Sequence, residues 1–272
     1  SIFALAAIFV TSAICSLLAT GILLPWLRRQ SLLDAPNERS SHTSPTLLGG
    51  GIAVTLVMAV FTLFLSLNPF AWSIEVIGFD GVWLVAGMLC LAIVSWLDDI
   101  RGVSQPIRLT VHIVVVALLL VTLFEEEVIF QGLVPAWLDR ILSVLLWVWF
   151  INLFNFMDGA DGVAGVQSLV ASAVLAFWFA YEGQEFLALV NSALAGACLG
   201  FLWFNWSPAR VFMGDVGSLA LGAWFGVMSL IGVTRFGLPL EALLTLLGVF
   251  VFDATLTLFR RLFQGKRITQ AH

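Results

Sequence analysis

Nine apolar runs divide the chain, at 2–27, 51–70, 82–97, 108–124, 141–154, 164–181, 186–204, 217–234 and 240–258. A helix rises 1.5 Å per residue, so about 20 apolar residues cross the roughly 30 Å hydrocarbon core of a bilayer. The shorter runs are expected to gain flanking residues. None alternates apolar and polar positions as a barrel strand does. Helix is also the one open-ended structure that satisfies its own backbone in lipid. The pattern predicts an all-α fold, a polytopic transmembrane helical bundle with about nine spans, forming a single integral membrane domain over residues 1–272. There is no internal repeat, low-complexity tract or linker. The first run begins at Ser1 without a basic segment before it or a small-residue cleavage site, so it reads as a span rather than a signal peptide.

Composition strengthens this reading. The 272 residues are 61% hydrophobic and only 11% charged, with a mean hydropathy of +1.05. A soluble domain carries about 25% charged residues, and charge is costly in hydrocarbon. Cys15, Cys90 and Cys198 lie inside apolar runs without ligand spacing and read as small packing residues. The net charge of -5 argues against a nucleic-acid partner.

With nine spans, successive loops alternate sides of the membrane. One set comprises 28–50, 98–107, 155–163, 205–216 and the tail 259–272. With Arg108 at a span mouth, it holds Arg28, Arg29, Arg39, Arg101, Arg108, Arg210, Arg260, Arg261, Lys266 and Arg267, leaving only Arg140 and Arg235 to the other. Basic residues mark the cytoplasmic side, so the N-terminus is expected outside. Asp34, Asp98, Asp99, Asp158, Asp161 and Asp215 fall in that same set. This predicts a polar site at the cytoplasmic membrane surface, within reach of soluble nucleotides.

Each loop offers chemistry beside a plainer alternative. Gly49, Gly50 and Gly51 before a span could bring backbone N–H groups to a phosphate, or could form an ordinary glycine-rich turn. Arg39, Ser40, Ser41 and His42 add donors. Asp98 and Asp99 repel one another and need a cation, proton or hydrogen-bond partner; they suit magnesium handling or activation of an acidic nucleophile, or form a solvated pair. Asn152, Asn155, Asp158 and Asp161 recur at spacing three, one face if the segment is helical. With Gly159, Gly162 and Gly165 they match a hard cation and polar ligand groups. Asp215, between Gly214 and Gly217, could ligate a metal or cap a helix. Trp206 and Phe212 could stack on a nucleobase or anchor the interface. Asp253, within the last span, is a functional candidate or a partner of Arg260. His112 reads as a buried hydrogen-bonding residue.

Taken together, DAPNERSSHTSPTLLGGG, LDDIRG, NLFNFMDGADG and VFMGDVGS resemble, in order and in side, the polyprenyl-phosphate N-acetylhexosamine-1-phosphate transferases, the MraY/WecA-type glycosyltransferase family 4. The first motif is most similar to the branch that initiates O-antigen and related surface glycans. The resemblance implies transfer of an N-acetylhexosamine-1-phosphate from a UDP-sugar to undecaprenyl phosphate, with release of UMP, in the bacterial inner membrane. It implies Mg²⁺, with Mn²⁺ as a substitute, held by Asp215 with Asn155 beside it. Asp98 and Asp99 match the paired acids that handle the lipid phosphate, and Asp158 is placed with them as a catalytic acid. Asp161, Asn205 and Phe212, with Asp158, match positions around the uridine and its diphosphate. Asn152, Arg39, His42, Gly50, Arg101 and His272 complete the expected substrate-binding set. Peptidoglycan-branch members carry a lysine a little beyond the paired acids, and here the nearest basic residue is Arg101. The family continues past the basic tail into a histidine motif and further spans, ten or eleven in all. The chain therefore reads as truncated, with His272 as that motif's first histidine. A homodimer is left open. The rival readings are a CDP-alcohol phosphatidyltransferase, which DGADG resembles faintly, and a membrane transporter, which would favour polar residues at mid-membrane.

Overall fold

In the computed structural model the described residues are 2–30, 32–34, 45–67 and 78–264. Among them are nine helices: α1 (Ile2–Gln30), α2 (Gly51–Ser66), α3 (Gly78–Arg101), α4 (Gln105–Leu123), α5 (Ala136–Phe156), α6 (Val163–Tyr181), α7 (Glu185–Asn205), α8 (Asp215–Phe236) and α9 (Leu240–Phe263). Eight are long and apolar enough to cross a membrane; α2 is shorter. The protein is a multi-pass membrane protein. Two helices differ in their bounds from the apolar runs. Helix α2 ends at Ser66 with Leu67 after it, and the rest of the run expected through 70 lies outside the described residues. Helix α5 starts at Ala136 rather than 141, behind Pro135. Its first turns carry Asp139 and Arg140, charges that hide a helix from a hydropathy reading.

Both charged side chains have local hydrogen-bond partners. The Asp139 carboxylate, on a residue only 1% exposed, accepts the N–H groups of Ile129 (3.2 Å) and Phe130 (2.8 Å). Arg140 Nη2 donates to the Glu125 carbonyl at 2.7 Å. A buried carboxylate holding two backbone donors contributes more than a neutral hydrogen bond. Asp139→Ala is therefore expected to destabilise the protein by about 2 kcal/mol, read as a lower midpoint of thermal unfolding in detergent. An unchanged midpoint would mean that the loop before α5 does not depend on this carboxylate.

Helices α7 and α8 are almost wholly buried and form the centre of the bundle, whereas α1 and α9 are mostly exposed toward lipid. Lipid gives apolar helices little reason to associate, so close packing and hydrogen bonds must hold them. Helix α1 packs along α7 on small residues. Gly196 and Gly200 lie so close to α1 that an added Cβ would meet the Phe9 carbonyl oxygen at 2.1 Å and the Ala13 carbonyl oxygen at 2.2 Å. One turn earlier, Ser192 Oγ donates to the Leu5 carbonyl at 2.8 Å. Between the central helices, Trp224 Nε1 donates to Asn191 Oδ1 at 3.1 Å, both residues buried.

At one end of the bundle the loops are tied together by backbone. Strands β1 (Leu33–Asp34) and β2 (Thr46–Leu47) pair antiparallel, and Leu47 bridges to Val211 in the α7–α8 loop. The Phe212 N–H donates to the Leu47 carbonyl at 2.7 Å. The N-termini of α2 and α8 meet at bare backbone, where a Cβ on Gly51 would lie 2.5 Å from Gly217 Cα. This contact carries the α1–α2 loop onto the start of α8.

Candidate active site at one end of the bundle

The tied end gathers the acids. Asp98 and Asp99 stand in the last turn of α3, Asp158 and Asp161 follow α5, and Asp215 opens α8. The α3–α4 turn is held by Asp98 itself: its Oδ1 accepts the Val103 N–H at 2.6 Å, and its main-chain carbonyl accepts the Gly102 N–H at 2.8 Å. Its other carboxylate oxygen accepts a hydrogen bond from Arg108 Nη1. The same Arg108 nitrogen lies 3.6 Å from Asp215 Oδ2. Asp99 is within electrostatic reach of Asp98, Asp215 and Arg108, and its Oδ2 is buried with no hydrogen-bond partner. An orphaned carboxylate oxygen beside two more acids is expensive unless a cation or proton meets it.

Asp158 and Asp161 brace the loop that presents Asp215. Asp158 Oδ2 accepts the Gly214 N–H at 3.0 Å, directly before α8. Burial pushes the Asp158 carboxyl well above the usual carboxylate range; the Gly214 N–H opposes this and the charge of Asp215 adds to it. Asp161 Oδ2 accepts the Ala209 N–H at 3.1 Å, while its Oδ1 is buried without a hydrogen-bond partner. Gly214, at φ 72° and ψ 172°, takes an extended conformation of positive φ that favours glycine, and so brings Asp215 to the helix start.

Several expectations change in the folded chain. The one-face array of Asn152, Asn155, Asp158 and Asp161 does not form, because α5 ends at Phe156 and the chain turns at Met157. Asn152 instead faces α4: its amide donates to the Val148 carbonyl at 2.7 Å and lies 3.4 Å from His112 Nδ1. Asn155 Oδ1 does reach the site's edge, but accepts a hydrogen bond from Ser218 Oγ. The backbone at Gly50 and Gly51 is not open to a phosphate, since these N–H groups donate to the Phe212 and Met213 carbonyls, each at 2.9 Å. The glycine run serves close packing: a Cβ on Gly50 would meet the Phe201 ring at 2.5 Å. Asn205 is buried, its amide donating to the Val211 carbonyl at 3.0 Å, which shapes the loop from inside. Phe212 is 5% exposed and has no open ring face, whereas Trp206 is 63% exposed and keeps one. Arg101 is exposed in the last turn of α3. Arg39, His42 and His272 lie outside the described residues.

Sequence reasoning did not single out Arg108, which was counted only as one of the basic residues on its side. Its signal was its place just inside α4, opposite the paired acids. A cation in the first turn of a helix opposes the helix dipole, so its presence there asks for nearby carboxylates.

The donor set suits a hard cation. It is made of oxygens, one of them the orphaned Asp99 Oδ2, and the Asp215 side chain is 31% exposed. Among the described residues no three His, Cys, Asp or Glu side chains are grouped so that they could hold a metal ion by themselves. Magnesium does not need such a group: it binds through one or two carboxylates and completes its shell with water and substrate phosphates.

The chain is similar in sequence to several known proteins. Over 96% of its length the chain is 26% identical to a protein of Bacillus subtilis (strain 168) named "Probable undecaprenyl-phosphate N-acetylglucosaminyl 1-phosphate transferase", covering 74% of that protein. It is 33% identical over 83% of its length to the decaprenyl-phosphate N-acetylglucosaminephosphotransferase of Mycolicibacterium smegmatis, of which it spans only 59%. It is also 33% identical over 85% of its length to the phospho-N-acetylmuramoyl-pentapeptide-transferase of Lactobacillus johnsonii, covering 74% of it. Residues 82–233 match the sequence profile of Glycosyl transferase family 4, a stretch that runs from α3 to α8 and so contains Asp98, Asp99, Arg108, Asp158, Asp161 and Asp215. The acids drawn together at one end of the bundle thus lie within the stretch that the family profile matches, and the chain belongs to glycosyl transferase family 4.

Proposed function

We propose that this protein is a magnesium-dependent phosphoglycosyl transferase of the bacterial inner membrane. It moves an N-acetylhexosamine-1-phosphate from a UDP-sugar to undecaprenyl phosphate and releases UMP at the cytoplasmic face. The observation that carries this reading is the meeting of Asp98, Asp99 and Asp215 around Arg108, with Asp99 Oδ2 buried and unpartnered. Relatives of the chain are named for transfer to polyprenyl phosphates, and ten of the chain's basic residues fall on the side that carries the acids.

Asp215 and Asp99 would hold Mg²⁺ with the donor's diphosphate, and the metal would supply charge stabilisation at the transferring phosphoryl group. This chain's own residues do the rest. Asp158 fixes the start of α8 and so the position of Asp215. Asp98 locks the α3–α4 turn on which Asp99 and Arg108 stand. The acceptor's phosphate oxygen attacks the β-phosphorus of the donor, the bond to the bridging oxygen breaks, and UMP leaves with that oxygen. Trp206, exposed beside the loop that ends at Asp215, has a ring face free for the uracil. The first motif, DAPNERSSHTSPT, favours the surface-glycan branch and a UDP-N-acetylhexosamine donor rather than the pentapeptide-bearing one.

The test is incubation of membranes bearing the protein with undecaprenyl phosphate, Mg²⁺ and a panel of UDP-N-acetylhexosamines, with mass analysis of the lipid product. One donor is expected to give a lipid diphosphate-sugar and stoichiometric UMP. Uptake of a solute into vesicles, without UMP release from any donor, would instead favour a transporter.

A further inference from the structure

We propose that Arg108 is a positioning residue: a built-in counter-cation that is anchored on Asp98 and keeps Asp215 in register with Asp99 until the phosphates arrive. The proposal rests on the transferase reading above. Three elements meet at this side chain. Arg108 extends from the first turns of α4, Asp98 ends α3, and Asp215 begins α8. Arg108 is the positive charge that acts on Asp99 here, against the negative charges of Asp215 and Asp98. Like charges this close would push α3 and α8 apart or take up protons.

The two contacts are unequal, and the inequality defines the role. Asp98 is held at both oxygens, by the Val103 N–H and by Arg108. It is the less exposed partner, at 16% against 31% for Asp215, so its interaction is less screened. It therefore fixes the guanidinium. Asp215 meets the same nitrogen at 3.6 Å, an ion pair beyond hydrogen-bond range. Its carboxylate is steered without being consumed and can still turn toward a stronger cation. A guanidinium suits this task, since its charge is permanent and its planar fork can address two carboxylates at once.

A counter-cation makes a prediction that plain structural support does not. Removing it leaves the acids uncompensated, so a divalent cation should bind more tightly even as catalysis fails. The experiment uses the full chain in detergent, with Mn²⁺ as the probe, free Mn²⁺ read by paramagnetic resonance without nucleotide, and UMP release measured separately. Arg108→Gln is expected to bind Mn²⁺ about tenfold more tightly, to lose about 100-fold in kcat, and to change the donor KM by less than about threefold. Arg108→Lys is expected to restore wild-type Mn²⁺ affinity, because the charge returns. It should recover only part of kcat, because the fork does not. Mn²⁺ affinity unchanged in Arg108→Gln overturns the proposal. Should that variant fail to fold, Arg108→Lys decides: full kcat overturns the proposal, and a partial loss at wild-type Mn²⁺ affinity supports it. Wild-type protein that releases no UMP from any donor removes the transferase reading instead, and the Mn²⁺ comparison still reports on the counter-cation.

Discussion

Asp215→Ala and Asp99→Asn are each expected to lower Mg²⁺-dependent UMP release by about 1,000-fold, equivalent to about 4 kcal/mol of transition-state stabilisation. The two residues fail for different reasons. Asp215 opens α8 with its carboxylate partly open to solvent and only loosely paired with Arg108, so its loss removes an oxygen available to a metal. Asp99 carries the buried oxygen without a hydrogen-bond partner. Its amide replacement keeps the shape but loses the charge that attracts a cation or accepts a proton. Folding should survive both changes, since neither carboxylate is described as holding a loop, in contrast to Asp158 on Gly214 or Asp98 on Val103. The measurement is UMP release at saturating donor beside a size-exclusion profile in detergent. Near wild-type turnover in both variants would remove this end of the bundle as the site of chemistry.

The largest effect on stability is expected where α1 crosses α7. Gly200→Leu should destabilise the protein by about 3 kcal/mol or more, with Gly200→Ala losing part of that. At Gly200 the added carbon would meet the Ala13 carbonyl oxygen at 2.2 Å and the Leu17 nitrogen at 2.8 Å. These are backbone atoms, so no rotamer change relieves the overlap; the helices must separate. Separation would also break the Ser192–Leu5 hydrogen bond, in a setting where lipid supplies no hydrophobic drive to bring the helices back. Thermal unfolding in detergent should show a midpoint lower by roughly 5–10 °C for Gly200→Leu. An Ala variant as stable as the parent would show that the two backbones are not in contact. By contrast, Gly183→Ala is a poor probe of packing, since nothing lies within 4 Å of its Cβ position and only its φ of 72° would be strained.

How much of this was legible in the amino-acid order differs between residues. The spans were, because an apolar run long enough to cross lipid has one stable backbone solution. That Asp98, Asp99, Asp158, Asp161 and Asp215 belong to one end also followed, since alternating spans return every second loop to the same side. Their partners did not follow. Asn152 and Asn155 share a spacing with Asp158 and Asp161, yet the helix stops at Phe156 and sends the pairs in different directions. Gly50 and Gly51 resembled a phosphate-binding turn, and their N–H groups proved to be spent on the Phe212 and Met213 carbonyls. Asn205 and Phe212 stood in a polar motif, and both are buried in its support. Arg108 was hidden among basic residues that topology already explained.

Periodicity, hydropathy and the placement of basic residues are local or one-dimensional quantities, and they were enough to state the class of the protein, its helices and the end at which its acids gather. Which acid braces, which is left unpartnered and which cation stands among them depends on how α3, α4 and α8 pack against one another. That is a matter of contacts between residues far apart along the chain, such as Asp98 with Arg108 and both with Asp215. A carboxylate's role follows from which of its oxygens are already hydrogen-bonded, and only the folded bundle decides that.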